Sequence, residues 1–163
     1  MERIWSGWRM QYVGKTEKVK GCIFCQAPNL QDSSENLVVR RGKLAYAILN
    51  RYPYTSGHLM VVPYAHIAEL ESLPAETLGE VMRMTQEAVL TLKSVYNPEG
   101  LNIGANLGAI AGAGVTGHVH FHVVPRWGGD TNFMTSVAEA RVLPEDLCAT
   151  FERVRDGWKS LLK

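Results

Sequence analysis

The feature that most constrains this chain is His118-Val119-His120-Phe121-His122-Val123-Val124, in which three of the five histidines alternate with apolar residues. A period of two belongs to a β-strand, whose successive side chains point to opposite faces. In a strand over 118–125 the imidazoles would stand in one row, about 6.6 Å apart per step, while Val119, Phe121 and Val123 face the core. One side of such a strand is expected to carry chemistry and the other packing. A row of three imidazoles can also share a zinc ion, and that reading stands beside the catalytic one.

The surrounding signals supply the rest of a sheet. Leu37-Val38-Val39-Arg40-Arg41 and Leu44-Ala45-Tyr46-Ala47-Ile48-Leu49 predict two strands of a hairpin about Arg41-Gly42-Lys43, and His58 to Pro63 a third, closed by proline. Pro74 can open a helix, and Leu78, Val81, Thr85, Ala88, Val89, Leu92 and Val95 then recur at spacings of three and four. Asn97-Pro98-Glu99-Gly100 ends that helix. Leu101 to Leu107 reads as a strand, followed by a glycine-rich loop from Gly108 to Gly117 that is too long for a plain hairpin turn. Pro144 opens a final helix with Leu147, Phe151, Val154, Trp158 and Leu161 on one face, and Cys148 packs beside that face. The class is α+β. No repeat or low-complexity run divides the 163 residues, so one domain over 1–163 is expected, with residues 1–30 as an N-terminal arm.

Composition removes several classes of function. With 17 basic and 16 acidic side chains the formal charge is +1, so no bulk positive field draws the chain to nucleic acid. Apolar stretches such as Leu59 to Pro63 fall far short of the roughly 18 residues a bilayer span needs. No apolar run follows Met1-Glu2-Arg3-Ile4-Trp5 to act as a signal peptide, so a cytoplasmic setting is the expectation.

Cys22-Ile23-Phe24-Cys25 is the short spacing that lets two thiolates bind one tetrahedral zinc. His66, just after a strand end, and His118, first in the histidine row, are the candidates for the other two ligands. A thioredoxin-like redox pair is the alternative, although no strand precedes the cysteines as a βαβ unit requires. In the glycine loop, small residues let backbone N–H groups approach an anion closely. The loop lacks both the Walker lysine and a Gly-x-Gly-x-x-Gly run opening a helix. Beside a row of histidines, a phosphate is the ligand to expect.

These residues resemble the histidine-triad family of nucleotide hydrolases and transferases. The likeness runs through Leu49-Asn50-Arg51-Tyr52-Pro53, Gly57-His58-Leu59-Met60-Val61-Val62-Pro63, Asn106-Leu107-Gly108 and the triad itself, roughly residues 36 to 134. The flanks Trp5 to Tyr12, Arg41 to Leu44 and Val123 to Asp130 resemble the bacterial branch that splits diadenosine tetraphosphate with phosphate. The resemblance implies an antiparallel sheet with two main helices, joined to a second copy in a homodimer. It implies that His120 attacks the α-phosphorus of a nucleotide to form a covalent nucleotidyl-imidazole, which must begin neutral. His122 and Asn106 would hydrogen-bond the phosphate oxygens, and the glycine loop (Gly112, Gly114, Thr116) would supply further donors. Asn50 would bind the ribose, His58 would lie beside the phosphates, and Trp127 would reach the nucleotide. A structural zinc on Cys22, Cys25, His66 and His118 would tie the arm to the catalytic strand. Many members carry Ser or Gln in the loop before the triad, where this chain offers only Thr116. Water instead of phosphate as acceptor, a nucleoside phosphoramidase, and a nucleotide sensor with a zinc-stapled arm are the alternatives. Neither nucleic acid nor membrane is an expected partner.

Overall fold

The computed structural model of the chain describes residues 21–130 and 145–162. Five strands, β1 (Val38–Arg41), β2 (Ala45–Leu49), β3 (Leu59–Pro63), β4 (Gly100–Ala105) and β5 (Phe121–Arg126), form one sheet in the order β1-β2-β3-β5-β4. Every neighbouring pair is antiparallel. Two main helices accompany the sheet, α2 (Ala75–Tyr96) and α3 (Leu147–Leu161), with a single short turn, α1 (Ile23–Gln26), ahead of it. The expected α+β architecture is therefore present. α1 and the 3-10 turns Ala27–Asn29 and Leu70–Ser72 are additions, each too short to carry a helical period.

α2 leads from β3 to β4 and lies over β2, β3 and β5. β5 then fills the place between β3 and β4, which makes it an interior strand. Burial on both faces explains why Val123, Val124 and Pro125 follow His122 without a polar break. The apolar stripe of α2 is buried at Val81, Ala88 and Leu92, and Met84 and Thr91 widen it. Pro98 forces the preceding residue out of the helix, and Asn97 takes the left-handed conformation (φ 44°), its N–H bonding Lys93 O. Where β1 turns into β2, the Glu80 carboxylate of α2 accepts the Leu44 and Ala45 N–H groups at 2.7 and 3.1 Å. Burial alone would raise its pKa, but these backbone donors outweigh burial and hold it below the usual carboxylate range.

α3 packs along α2 through Phe151, Val154 and Trp158, all nearly fully buried. The indole N–H of Trp158 donates to Glu87 at 3.0 Å, so its polar tip is satisfied. Gly157 sits where the two helices meet: a Cβ there would collide with Val95 Cγ1. Helix propensity favours alanine over glycine by about 0.8–1 kcal/mol, but the stiff valine cannot yield without moving the helix pair. Gly157→Ala is therefore expected to destabilise the fold by about 1–2 kcal/mol in denaturant unfolding, and a stabilised variant would overturn this account of the crossing.

Four expectations shift. β1 starts at Val38 because Leu37 lies at φ 68°, outside strand geometry. β5 starts at Phe121, so His118 and His120 occupy an irregular lead-in whose Val119 N–H bonds Ile67 O at 2.8 Å. Cys148 is exposed in the first turn of α3, with its N–H held by Asp146. Leu161, in the last turn, is 40% exposed and does not complete the apolar face. The stretch from Trp5 to Tyr12 and Pro144 lie outside the described residues. Among the described residues no helix is long and apolar enough to cross a membrane.

Candidate active site

The sheet register assembles the site. Leu49 pairs with Leu59, and beyond them the Asn50 N–H bonds His58 O at 2.9 Å, so Asn50 stands opposite His58. Met60 pairs with His122, and His122 with Gly104 on its other side. By the strand period, His58 lies on the same face as Met60, one diagonal step from His122. Residues far apart in sequence thus form one row across β2, β3 and β5. Gly104, without a Cβ, leaves the flank of His122 open.

Hydrogen-bond partners fix which nitrogen of each ring carries its proton. A carbonyl only accepts, so the 2.9 Å contact of His120 Nδ1 with His118 O puts the proton on Nδ1 and leaves the lone pair at Nε2. By the same reasoning the 2.9 Å contact of His118 Nε2 with Pro63 O leaves the His118 Nδ1 lone pair free to bind a ligand. Burial lowers the pKa of both rings below 6.5, and they are therefore neutral near pH 7. His120 is only 4% exposed, and His118 not at all. The ring of Phe24 from α1 packs against both, with centroids 4.8 Å from His120 and 5.6 Å from His118.

The expected even row of imidazoles is therefore corrected. His120 and His122 stand 4.9 Å apart, edge to face, while His118 turns towards a cluster of its own. Ladder geometry begins only at Phe121, and the bonds of His118 to Pro63 and of Val119 to Ile67 pull the lead-in towards the chain after β3. The apolar partners hold as expected: Val119, Phe121 and Val123 are all buried.

The cluster joins Cys22, Cys25, His66 and His118, whose ligand atoms all lie within 4.8 Å of one another. His118 Nδ1 is 3.4 Å from Cys22 Sγ and 3.6 Å from Cys25 Sγ, and His66 Nδ1 is 3.3 Å from Cys25 Sγ. Tetrahedral zinc with ordinary Zn–S and Zn–N lengths separates S and N by roughly 3.6 Å, so this donor set fits that ion. Burial, and then the adjacent Cys22 thiol, push the Cys25 thiol up, so a dication taking both sulfurs would displace protons. The second nitrogen of His118 already has the carbonyl partner that metal-bound histidines use for orientation.

The remaining expected residues divide. The β4–β5 register ends with Ala105 opposite Phe121, so Asn106 and His120 lie just beyond the last pair of the ladder. In the loop, the Gly112 and Ala113 N–H groups close turns on Ala109 O and Gly108 O, so these two donors serve the loop itself. Gly114 and Thr116 are exposed. Trp127 is not brought to the triad: it follows the far end of β5 and packs edge to face on Tyr96. His58 is fully buried and bonds to His122 at 2.9 Å, so it stands behind that ring and not against a ligand. A cavity of about 300 Å³ between the β2–β3 connection and the start of α3 borders Asn50, Arg51 and Pro53, and of the five histidines only His58. Sequence reasoning missed Phe24, whose only signal was its place between the two cysteines.

The model of the HIT domain family matches residues 31–129. The chain is also 43% identical over 166 aligned residues to the AP-4-A phosphorylase of Mycobacterium tuberculosis, an alignment covering 97% of this chain and 85% of that protein. The chain belongs to the HIT family. Another relative is the adenosine 5'-monophosphoramidase of Candida albicans, 30% identical over 64% of this HIT chain and 70% of that protein. Among solved structures, a Zn-bound histidine triad family protein from Mycobacterium smegmatis superposes with a TM-score of 0.69 at 27% identity, covering 86% of this chain and 95% of that one. Membership gives the His118-x-His120-x-His122 segment its family place, and the structure adds that the His118 and His120 rings are neutral and each oriented by a backbone carbonyl.

Proposed function

We propose that this HIT protein is a diadenosine tetraphosphate phosphorylase that works through a nucleotidyl-His120 intermediate. The observation that carries the reading is the His120 ring itself: neutral, wedged by Phe24, with Nδ1–H committed to His118 O and the Nε2 lone pair left for attack. Nε2 attacks the α-phosphorus, a P–N bond forms, and the P–O bond to the remaining chain breaks with release of ATP. Inorganic phosphate then attacks the same phosphorus, the P–N bond breaks, and ADP leaves. The sum, diadenosine tetraphosphate plus phosphate giving ADP plus ATP, balances.

His122, beside His120 and half-buried, offers a donor to the phosphate oxygens on which charge builds in the transition state. Asn106, just beyond the ladder end from which His120 leads in, offers a second, and Gly114 and Thr116 are exposed in the loop before the triad. Asn50 accepts the Tyr52 N–H through Oδ1 and faces His58 through Nδ2. Each end of its amide keeps one bonding position for the ribose hydroxyls. His118 acts through its carbonyl and its place in the cluster with Cys22, Cys25 and His66, which we assign to structural zinc. Among the described residues β4 is an edge strand of the sheet, and Ile103 on it, with Leu107 and Ile110 just beyond, is exposed. This edge supports a homodimer with the two sheets joined. We place the enzyme in the cytoplasm as one domain with its arm, with nucleotides and not nucleic acid or membrane as its partners.

The test is incubation with diadenosine tetraphosphate with and without inorganic phosphate, with products separated by chromatography. ADP and ATP formed only with phosphate is the expected result. AMP and ATP without phosphate would replace phosphorylase by hydrolase. The phosphoramidase relative supports a second reading with the same first step, so adenosine phosphoramidates are the next substrates if neither condition gives products. Nucleotide binding without turnover on any of them would favour the sensor.

A further inference from the structure

We infer that His58 is a positioning residue which sets the tautomer and ring orientation of His122, so that His122 meets its ligand as an Nε2–H donor. The direction of the relay follows from its far end. The backbone N–H of Tyr54 points at His58 Nδ1 at 3.1 Å, and the Asn50 amide nitrogen lies 3.4 Å from the same atom. A backbone N–H can only donate, so His58 Nδ1 is the acceptor and carries no proton. The neutral ring therefore holds its hydrogen on Nε2, which lies 2.9 Å from His122 Nδ1. His58 donates, His122 accepts at Nδ1, and the remaining His122 hydrogen sits on Nε2.

Packing holds this arrangement in place. His58 is fully buried, with the Tyr54 ring tilted against it at 4.7 Å on one side and the His122 ring at 5.1 Å on another. The segment between Asn50 and His58 folds back so that its own backbone supplies the directing hydrogen, and the His58 N–H bonds Thr55 O at 3.2 Å. A fully buried histidine can reach no phosphate. Its effect on the reaction passes through His122, which it also keeps from rotating about the ring axis. Because Asn50 touches His58 as well, a ribose seated on Asn50 would bear on the same relay. Only that kinetic consequence rests on the proposed nucleotidyl transfer; the tautomer does not.

The experiment is ring ¹⁵N NMR of the full chain without substrate, on the wild type, His58→Leu and His58→Gln, followed by steady-state kinetics. The wild type is expected to show His122 protonated at Nε2, with a scalar coupling from the His58 Nε2–H to His122 Nδ1. In His58→Leu that coupling disappears, the His122 nitrogens move towards averaged values, and kcat falls about 10- to 100-fold with KM nearly unchanged. Glutamine, whose amide N–H reaches a similar position, is expected to restore most of kcat. A wild-type proton on His122 Nδ1 would overturn the inference, and so would a leucine variant with an unaltered His122 spectrum. The wild-type coupling decides the matter even if the leucine variant fails to fold. Failure of the nucleotidyl reading would appear only in the kinetics, leaving the spectra to stand.

Discussion

His120→Ala is expected to lose at least about 10⁴-fold in kcat while its nucleotide affinity stays within a few-fold of wild type. The asymmetry comes from where the ring sits. His120 is 4% exposed and packed on Phe24, so it adds little open surface for binding a substrate. Its one free polar atom is the Nε2 lone pair. In the proposed mechanism, removing it leaves His122, Asn106 and Asn50 for binding, but nothing that can form the P–N bond. Intact-protein mass spectrometry gives the second half of the test. The wild type, mixed with diadenosine tetraphosphate in phosphate-free buffer, should gain one adenylyl group that maps to His120, and the variant should gain none. An adduct on another residue, or a variant retaining more than a few percent of wild-type kcat, would remove His120 from the role of nucleophile.

Much of this site was legible in the sequence because its signals are periodic or spaced by chemistry. The alternation at His118 to Val124 marked Val119, Phe121 and Val123 for the core, where the structure has them, and Cys22-x-x-Cys25 pointed to His66 and His118, which the structure brings to the two sulfurs. What the sequence could not show depends on register and local closure. Nothing in the order of residues says that β5 inserts between β3 and β4, and that insertion is what puts His122 beside His58. The start of β5 was misread because a period of two also fits chain without ladder partners, as at His118 and His120. The Gly112 N–H looked available and is spent inside its own loop. Trp127 looked close to the triad in sequence, yet five strand residues place it roughly 16 Å along β5 from His122, against Tyr96.

The second large effect is expected at the cluster of Cys22, Cys25, His66 and His118, because three connections meet at His118. Its Nδ1 faces the two sulfurs, its Nε2–H bonds Pro63 O, and its own carbonyl holds His120, the proposed nucleophile, through Nδ1. α1, between the cysteines, also places Phe24 against both imidazoles and offers Phe24 O to the buried Tyr46 hydroxyl at 2.7 Å. Protein purified without chelator is expected to carry one zinc per chain. Cys22→Ser should lose it and become less stable by roughly 4 kcal/mol or more, since a four-ligand staple between α1, the chain after β3 and the lead-in to β5 disappears. Activity should fall about 10- to 100-fold, less than for His120→Ala, because the His118 carbonyl remains covalently next to the nucleophile's strand even when its imidazole is released. Metal analysis and thermal unfolding separate this from a redox pair: if the two sulfurs instead form a reversible disulfide, the wild type will be metal-free, and reductant rather than zinc will change its melting temperature. A metal-free wild type with full stability and turnover would dismiss the staple altogether, leaving Phe24 and Pro63 to hold His118 by packing and one hydrogen bond.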